Sequence, residues 1–306
     1  MAPSTIPRPR RSVLSVPGDS PRMLAKAREL AADVVMVDLE DSVAAANKTD
    51  ATRAGVASAL REGGWAARSL AVRVNGVRTP WFADVLAQVV GAAGDAVRCI
   101  VLPKVESPDE VRQAAALLAR LGVATGIEAQ IETARGLIEA ERIAGSSERL
   151  ESLVYGPGDF AASMGIPHLD IGGGDDAYPG DQWHYVRSRI AVAARAFGLD
   201  AIDGPHGGLD DLEGLRRSAL HARALGFTGK WAIHPSQIAV CEEVFSPTAE
   251  EVDRARRLLA ALDGAEGRGA AVFEGAMVDE ASRRQAQALL ARAPKGARAD
   301  AHHASS

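Results

Sequence analysis

The chain has 306 residues, a formal net charge of −5 and 47% hydrophobic residues. That length suits one barrel-sized domain with an appendage. The charge does not mark a nucleic-acid binder, and no apolar run is long enough to span a membrane. Met1 to Arg11 is rich in Pro and Arg and lacks the apolar core of a signal peptide. Cys99 and Cys241 are the only cysteines. Unpatterned, they make neither a disulfide framework nor a zinc site, and a reducing cytoplasm is the expected location.

Eight short apolar runs predict strands: Ser12–Pro17, Val34–Val37, Leu70–Val74, Cys99–Leu102, Gly126–Ile131, Ser152–Tyr155, Leu199–Ile202 and Lys230–Ile233. They are rich in Val, Ile and Leu and read as non-alternating, as parallel strands buried on both sides do. Helical segments separate them. Ser20-Pro21 signs one helix start with an N-cap followed by Pro. Ser107-Pro108-Asp109-Glu110 and Thr248-Ala249-Glu250-Glu251 read as capping boxes, Glu110 reaching back to the Ser107 amide. Leu209 to Leu225 has helical periodicity and stops at Gly226.

An open doubly wound sheet would carry similar runs. Eight units, with polar residues at nearly every strand end, favour a (β/α)8 TIM barrel, whose active site lies at the C-terminal ends of its strands. Two regions break the rhythm. Gly165 to Asp181, with Gly172-Gly173-Gly174 and Asp175-Asp176, reads as a long loop. Pro247 to Leu262 and Gly275 to Arg292 read as two helices joined by a Gly-rich link. The expected division is therefore a barrel over 1–246, a helical lid or oligomerisation appendage over 247–293, and a disordered tail over 294–306.

Several strand-end residues carry chemistry. Glu132 and Asp159 each follow an apolar run, so both carboxylates are expected at the barrel mouth. Two carboxylates plus waters suit Mg²⁺, with no soft ligand nearby to suggest zinc. The plainer alternative is helix capping or pairing with arginines. Arg73 sits in an apolar strand, and a buried guanidinium needs a partner. That partner is Asp38 or Glu40, a substrate oxygen gaining negative charge, or both. Asp38, Glu40 and Asp41 follow one buried strand and are expected to support Arg73 or a metal-bound water. Gly156-Pro157-Gly158-Asp159 is either a simple turn or a backbone nest for a substrate carboxylate. His234 is either a general acid or base or a hydrogen-bonded structural residue.

Read together and in order, these segments are specific. Arg11-Ser12-Val13-Leu14-Ser15-Val16-Pro17-Gly18, Val37-Asp38-Leu39-Glu40-Asp41-Ser42-Val43, Val72-Arg73-Val74-Asn75-Gly76, Leu102-Pro103-Lys104-Val105-Glu106-Ser107, Ile131-Glu132-Thr133-Ala134 and Ile233-His234-Pro235-Ser236-Gln237-Ile238 resemble the citrate lyase β-subunit-like group. That group belongs to the HpcH/HpaI aldolase superfamily and includes malyl-CoA and citramalyl-CoA lyases. The resemblance implies a Mg²⁺-dependent barrel, usually a homotrimer. Its reaction is reversible cleavage of a 3-hydroxyacyl-CoA into an acyl-CoA and a small 2-oxo acid. The metal ligands of the group fall on Glu132 and Asp159, its arginine on Arg73, and a C-terminal aspartate contributed by a neighbouring subunit on Asp279. Arg11, Arg22 and Lys26 are candidates for the CoA phosphates.

Other readings stay open at this point. A malyl-CoA thioesterase would use much of the same site with water as a reactant. A metal aldolase for free 4-hydroxy-2-oxo acids is disfavoured, since such enzymes usually carry His where this chain has Asp41. A carrier-dependent citrate lyase subunit and a non-catalytic binding or regulatory barrel complete the set.

Overall fold

A computed structural model describes residues 8–167, 170–173, 178–265 and 269–293. The tail from 294, Gly267, and Gly174-Asp175-Asp176 of the long loop lie outside the described residues. Eight parallel strands close into a barrel in chain order: β1 (Ser12–Pro17), β2 (Val34–Asp38), β3 (Ser69–Arg73), β4 (Cys99–Leu102), β5 (Gly126–Ile131), β6 (Leu150–Tyr155), β7 (Asp200–Asp203) and β8 (Gly229–Ala232). The ring closes where β1 pairs with β8, Ser12 opposite Lys230. The surrounding helices are α1 (Pro21–Arg28), α2 (Asp50–Glu62), α3 (Phe82–Val85), α4 (Pro108–Arg120), α5 (Ala134–Ile138), α6 (Ala140–Ala144), α7 (Pro157–Met164), α8 (His184–Ala196), α9 (Leu212–Ala224) and α10 (Ser236–Val244). The expected barrel is the fold the chain adopts.

Local chemistry sets the element ends. Ser20 caps α1, its hydroxyl accepting from the Met23 amide at 3.4 Å. Gly226 follows α9 at φ +97°, a conformation that favours glycine. The box expected at Ser107 differs in detail. Its hydroxyl makes no cap bond, and the Glu110 carboxylate reaches one residue further back, accepting from the Glu106 amide at 2.7 Å.

Val13, Val34, Met36, Ala71, Cys99, Val101, Val154, Ile202 and Trp231 form the apolar filling. Strand β5 corrects the expectation of non-alternating strands. Its Glu128 meets Cys99 Sγ at 3.3 Å, and Gln130 Nε2 donates to Glu132 Oε2 at 2.6 Å. Alternation then places Ile127, Ala129 and Ile131 on the opposite face, toward the helices. The result is a polar column, Glu128, Gln130 and Glu132, running from the lower end of the barrel to its mouth.

Arg10 anchors the lower end. It is buried, donating to Glu128 at 2.9 Å, to Asp200 at 3.1 Å and to Glu151. The β5–β6 register shifts between Ile127 and Glu128, leaving Glu151 as the extra residue that turns to Arg10. Burial pushes the Glu128 carboxyl up, against the opposing charge of Arg10.

From Glu243 onward the chain forms a second compact unit, the first ending at Glu242. Its helices α11 (Ala249–Asp263) and α12 (Glu280–Arg292) flank a hairpin of β9 (Ala270–Phe273) and β10 (Ala276–Asp279). The hairpin corrects the expected helix over Gly275 to Arg292. Glu274 and Gly275 both take positive φ, 50° and 81°, the geometry of a two-residue hairpin turn. Thr248 and Glu251 form the expected capping box. A small core of Ala255, Leu258, Leu262, Phe273, Val278 and Ala286 holds the unit together.

Removing one partner of a buried ion pair leaves the other charge uncompensated. Arg10→Met is therefore expected to cost roughly 3–5 kcal/mol in urea denaturation. Adding Glu128→Gln to that variant should recover part of the loss. A single variant as stable as the parent would show the network to be dispensable.

Candidate active site

Asp38 ends β2 and two more acids, Glu40 and Asp41, follow it; one arginine ends β3, a lysine follows β4, Glu132 follows β5, and Asp159 stands in the first turn of α7. All lie at the C-terminal mouth of the barrel. Arg73 ends β3, and its side chain is buried against Trp231, 5.4 Å from the ring centre. Its Nε and Nη2 donate to the two Asp38 oxygens at 2.7 and 2.6 Å. Asp38 is in turn held by the Glu40 and Ser42 amides at 2.9 and 3.3 Å. Burial alone would raise the Asp38 carboxyl, but the Arg73 bonds and charge hold it below the usual range. The remaining nitrogen, Nη1, faces Glu40 at 3.5 Å and Asp41 at 3.8 Å.

Lys104 occupies the centre of the cluster. Its Nζ donates to Glu40 at 2.6 Å and to Asp41 at 2.9 Å, and lies 3.6 Å from Asp159. Its backbone amide donates to Glu132 Oε1 at 2.8 Å from a left-handed conformation, φ +51°. Such a φ is uncommon for a residue with a side chain, and it aims amide and ammonium at different acids. Burial and the neighbouring Asp41 raise the Glu40 carboxyl to about 7. Burial would also raise Asp41, but hydrogen bonds from its neighbours pull it down instead.

Glu132 is fully buried, and burial followed by the Asp159 charge pushes its carboxyl well up. A buried acid that feels a second acid's charge calls for added positive charge. The donors are all hard oxygens. Among the described residues no three His, Cys, Asp or Glu side chains gather into a full ligand set. Two carboxylates with the other positions left to water and substrate oxygens is a pattern that fits Mg²⁺. The buried Glu40 Oε2 and Gln130 Oε1 have no hydrogen-bond partner, so acceptor capacity remains.

Gly156 is required by its neighbours. A Cβ there would stand 2.3 Å from Glu132 Oε2 and 2.6 Å from Glu132 Cβ. Its amide is taken by the Ile131 carbonyl at 3.3 Å, and Pro157 has none. The amides left to a ligand are those of Gly158 and Asp159 in the first turn of α7.

Other predicted residues are placed elsewhere. Arg11 lies at the N-terminal end of β1, its guanidinium on Asp33 at 2.7 and 2.8 Å, so the opposite end of the barrel claims it rather than CoA. Arg22 and Lys26 are exposed one turn apart on α1. His234 is exposed and bonds Ser236 through Nδ1 at 2.8 Å, a local structural role at the start of α10. Asp203, which ends β7 and was given no role from sequence, points to Lys230 and to Arg187 at 3.2 Å, among the helices rather than in the mouth. In the second unit, Asp279 is exposed and caps α12, accepting from the Ala281 and Ser282 amides at 2.9 and 3.3 Å. Lys104, Gln130 and Trp231 were not singled out from sequence. The Glu128-x-Gln130-x-Glu132 spacing was a usable signal for Gln130, whereas the backbone angle that makes Lys104 central leaves none.

The model of HpcH/HpaI aldolase/citrate lyase proteins matches residues 11–235. The chain belongs to this family. An L-malyl-CoA/beta-methylmalyl-CoA lyase of Cereibacter sphaeroides is 40% identical, covering 96% of this chain and 97% of its own. A (3S)-malyl-CoA thioesterase of the same species is 36% identical over 93% of this chain and 95% of its own. Among solved structures, CitE from Mycobacterium tuberculosis in complex with magnesium, acetoacetate and coenzyme A superimposes with a TM-score of 0.72. It is 36% identical and covers 92% of this chain and 97% of that one.

The glycines of the α7 entry provide a direct check on this geometry. Gly156→Ala is expected to cost about 1–3 kcal/mol by overpacking against Glu132. Gly158→Ala should cost nothing measurable, since the nearest atom to its new Cβ is on Ile171 at 3.7 Å. Equal losses in paired urea melts would refute the close approach of Gly156 to Glu132.

Proposed function

We propose that this chain cleaves a 3-hydroxyacyl-CoA reversibly into an acyl-CoA and a small 2-oxo acid, with Mg²⁺ on Glu132 and Asp159. The chain is a carbon–carbon lyase of CoA esters. The observation that carries the finer reading is the pairing of Glu132 with Asp159 beside a buried arginine whose Nη1 still has donors to offer. The names of the relatives supply the substrate class, and the magnesium and coenzyme A of the CitE complex supply the cofactor and carrier.

When bound, Mg²⁺ supplies positive charge that polarises the oxygens of the 2-oxo acid. The chain's own residues do the rest. Arg73, fixed by Asp38, turns Nη1 toward the oxygen that gains charge as the bond breaks. A planar fork holds the orienting carboxylate and that oxygen together, which an ammonium does less well. The Gly158 and Asp159 amides receive the substrate carboxylate at the positive end of α7. Arg22 and Lys26 meet the CoA phosphates at the rim.

Asp279 removes the methyl proton of the acyl-CoA in the condensing direction, entering the site of a neighbour in a trimer. Val272 and Met277, paired across the hairpin and each 78% exposed, offer an apolar face for a second copy.

Incubation with malyl-, citramalyl- and methylmalyl-CoA tests the reaction. A 2-oxo acid and a shorter CoA ester are expected with Mg²⁺, and neither after exhaustive chelation. Free CoA with the intact hydroxy acid would instead make the chain a thioesterase, and full turnover in EDTA would overturn the metal.

The shared site has its own test. Asp279→Ala and Glu132→Gln proteins should each be inactive alone and regain part of the activity when their subunits are exchanged. No recovery after exchange has been verified by mass would place Asp279 outside the site.

A further inference from the structure

Lys104 is not accounted for by this mechanism. Its ammonium stands among Glu40, Asp41 and Asp159, while its backbone amide holds Glu132. It thus touches both acids assigned to the metal and both acids that flank Arg73. The mouth collects five carboxylates, those of Asp38, Glu40, Asp41, Glu132 and Asp159, around Arg73 and Lys104. Arg73 is committed to Asp38 by two short bonds and cannot leave without stranding a buried acid. Lys104 differs. Its side chain is 34% exposed, as is Asp159 at 35%, and its four-carbon stem lets the charge move without the backbone.

We propose that the Lys104 ammonium is a resident stand-in for the dication, neutralising the acids of the mouth when no metal is bound and competing with Mg²⁺ for Asp159. This rests on the assignment of Glu132 and Asp159 as the metal ligands. A metal held by the Asp159 carboxylate would share it with an ammonium 3.6 Å from one of its oxygens. Two like charges at such range repel enough to shift binding by about tenfold, even with partial solvent screening. Lys104 therefore tunes metal affinity as a positioning residue, through Asp159 and Glu40, while its backbone amide keeps Glu132 aimed.

The test uses Mn²⁺ alone, titrated by electron paramagnetic resonance, together with thermal unfolding in EDTA and in saturating Mg²⁺. Lys104→Met and Lys104→Gln are expected to bind Mn²⁺ about tenfold more tightly than the parent. They should also melt lower in EDTA and recover most of the difference in Mg²⁺. Lys104→Arg, which keeps the charge, should resemble the parent in both measurements. A lysine that merely packs or shapes the turn would lower the melting temperature equally with and without metal. That result, or unchanged or weakened Mn²⁺ binding, overturns the proposal. So would failure of both neutral variants to fold even in saturating Mg²⁺, since metal would then be unable to replace the ammonium. Glu132→Gln separates the two layers of the argument. If it binds Mn²⁺ as the parent does, the ligand assignment itself fails. If it loses Mn²⁺ while the neutral Lys104 variants bind as the parent does, only the stand-in role fails.

Discussion

Excess negative charge at the mouth of the barrel is the constraint on which the rest of the site depends. Carboxylates this close repel one another strongly in a partly desolvated setting. The fold tolerates them by two different devices. Arg73 is fixed to Asp38 by a bidentate bond and packed over Trp231, so its charge is part of the scaffold. Lys104 reaches its acids through a flexible stem from a strained backbone position, so its charge is adjustable. Burial first, and then the neighbouring acids Asp41 and Asp159, raise the carboxyls of Glu40 and Glu132 against the pull of these cations.

Strand β5 transmits this arrangement through the barrel. Its inward column begins with Glu128 on Arg10, continues through Gln130 and ends with Glu132. Each member is held by a hydrogen bond, as buried polar groups require. Gln130 gives its amide hydrogen to Glu132, and Gly156 leaves room for that carboxylate by having no Cβ. Glu132 is therefore supported from below by its own strand, from one side by the Lys104 amide and from another by a glycine of the next strand end. A carboxylate placed this way is held in one orientation, because its supports are a backbone amide, a buried amide side chain and a glycine. The lower end belongs to stability, as the N-terminal face of such a barrel generally does.

The fold was legible because eight buried strands leave an unmistakable rhythm of Val, Ile and Leu, and because strand ends carry the polar residues. Asp38, Arg73, Glu132 and Asp159 were legible for the same reason. Three features were not. The polar column of β5 was hidden because Ile127, Ala129 and Ile131 make the strand look apolar when its faces are not separated. The hairpin before α12 was hidden because Ala and Met at β10 also suit a helix, although Glu274-Gly275 between Phe273 and Ala276 carried a turn signal. Lys104 was hidden because its importance comes from a backbone angle and from acids on three other strand ends. Arg11 failed as a CoA ligand for a simple topological reason: it precedes its strand, and what precedes a barrel strand lies at the far end from the chemistry.

The geometry also bears on which of two chemistries a member of this family performs. Carbon–carbon cleavage and thioester hydrolysis both build negative charge on oxygen, and a buried guanidinium such as that of Arg73 suits either. Hydrolysis consumes a water at the thioester carbon, whereas cleavage consumes none: it releases the thioester enolate, which takes up one proton to give the shorter acyl-CoA, and condensation removes that proton again. The two outcomes therefore separate on whether water reaches the thioester carbon and on what group moves the proton, not on the carboxylates of the mouth. In the barrel, Trp231 packs on Arg73, while the Lys104 and Asp159 side chains are partly open to water. Exposed apolar residues occur instead on the β9–β10 hairpin, at Val272 and Met277, on the same short hairpin that ends at Asp279. Within the second unit Asp279 is exposed at the end of that hairpin and accepts from the Ala281 and Ser282 amides of α12, so one short element presents an acid and an apolar pair together.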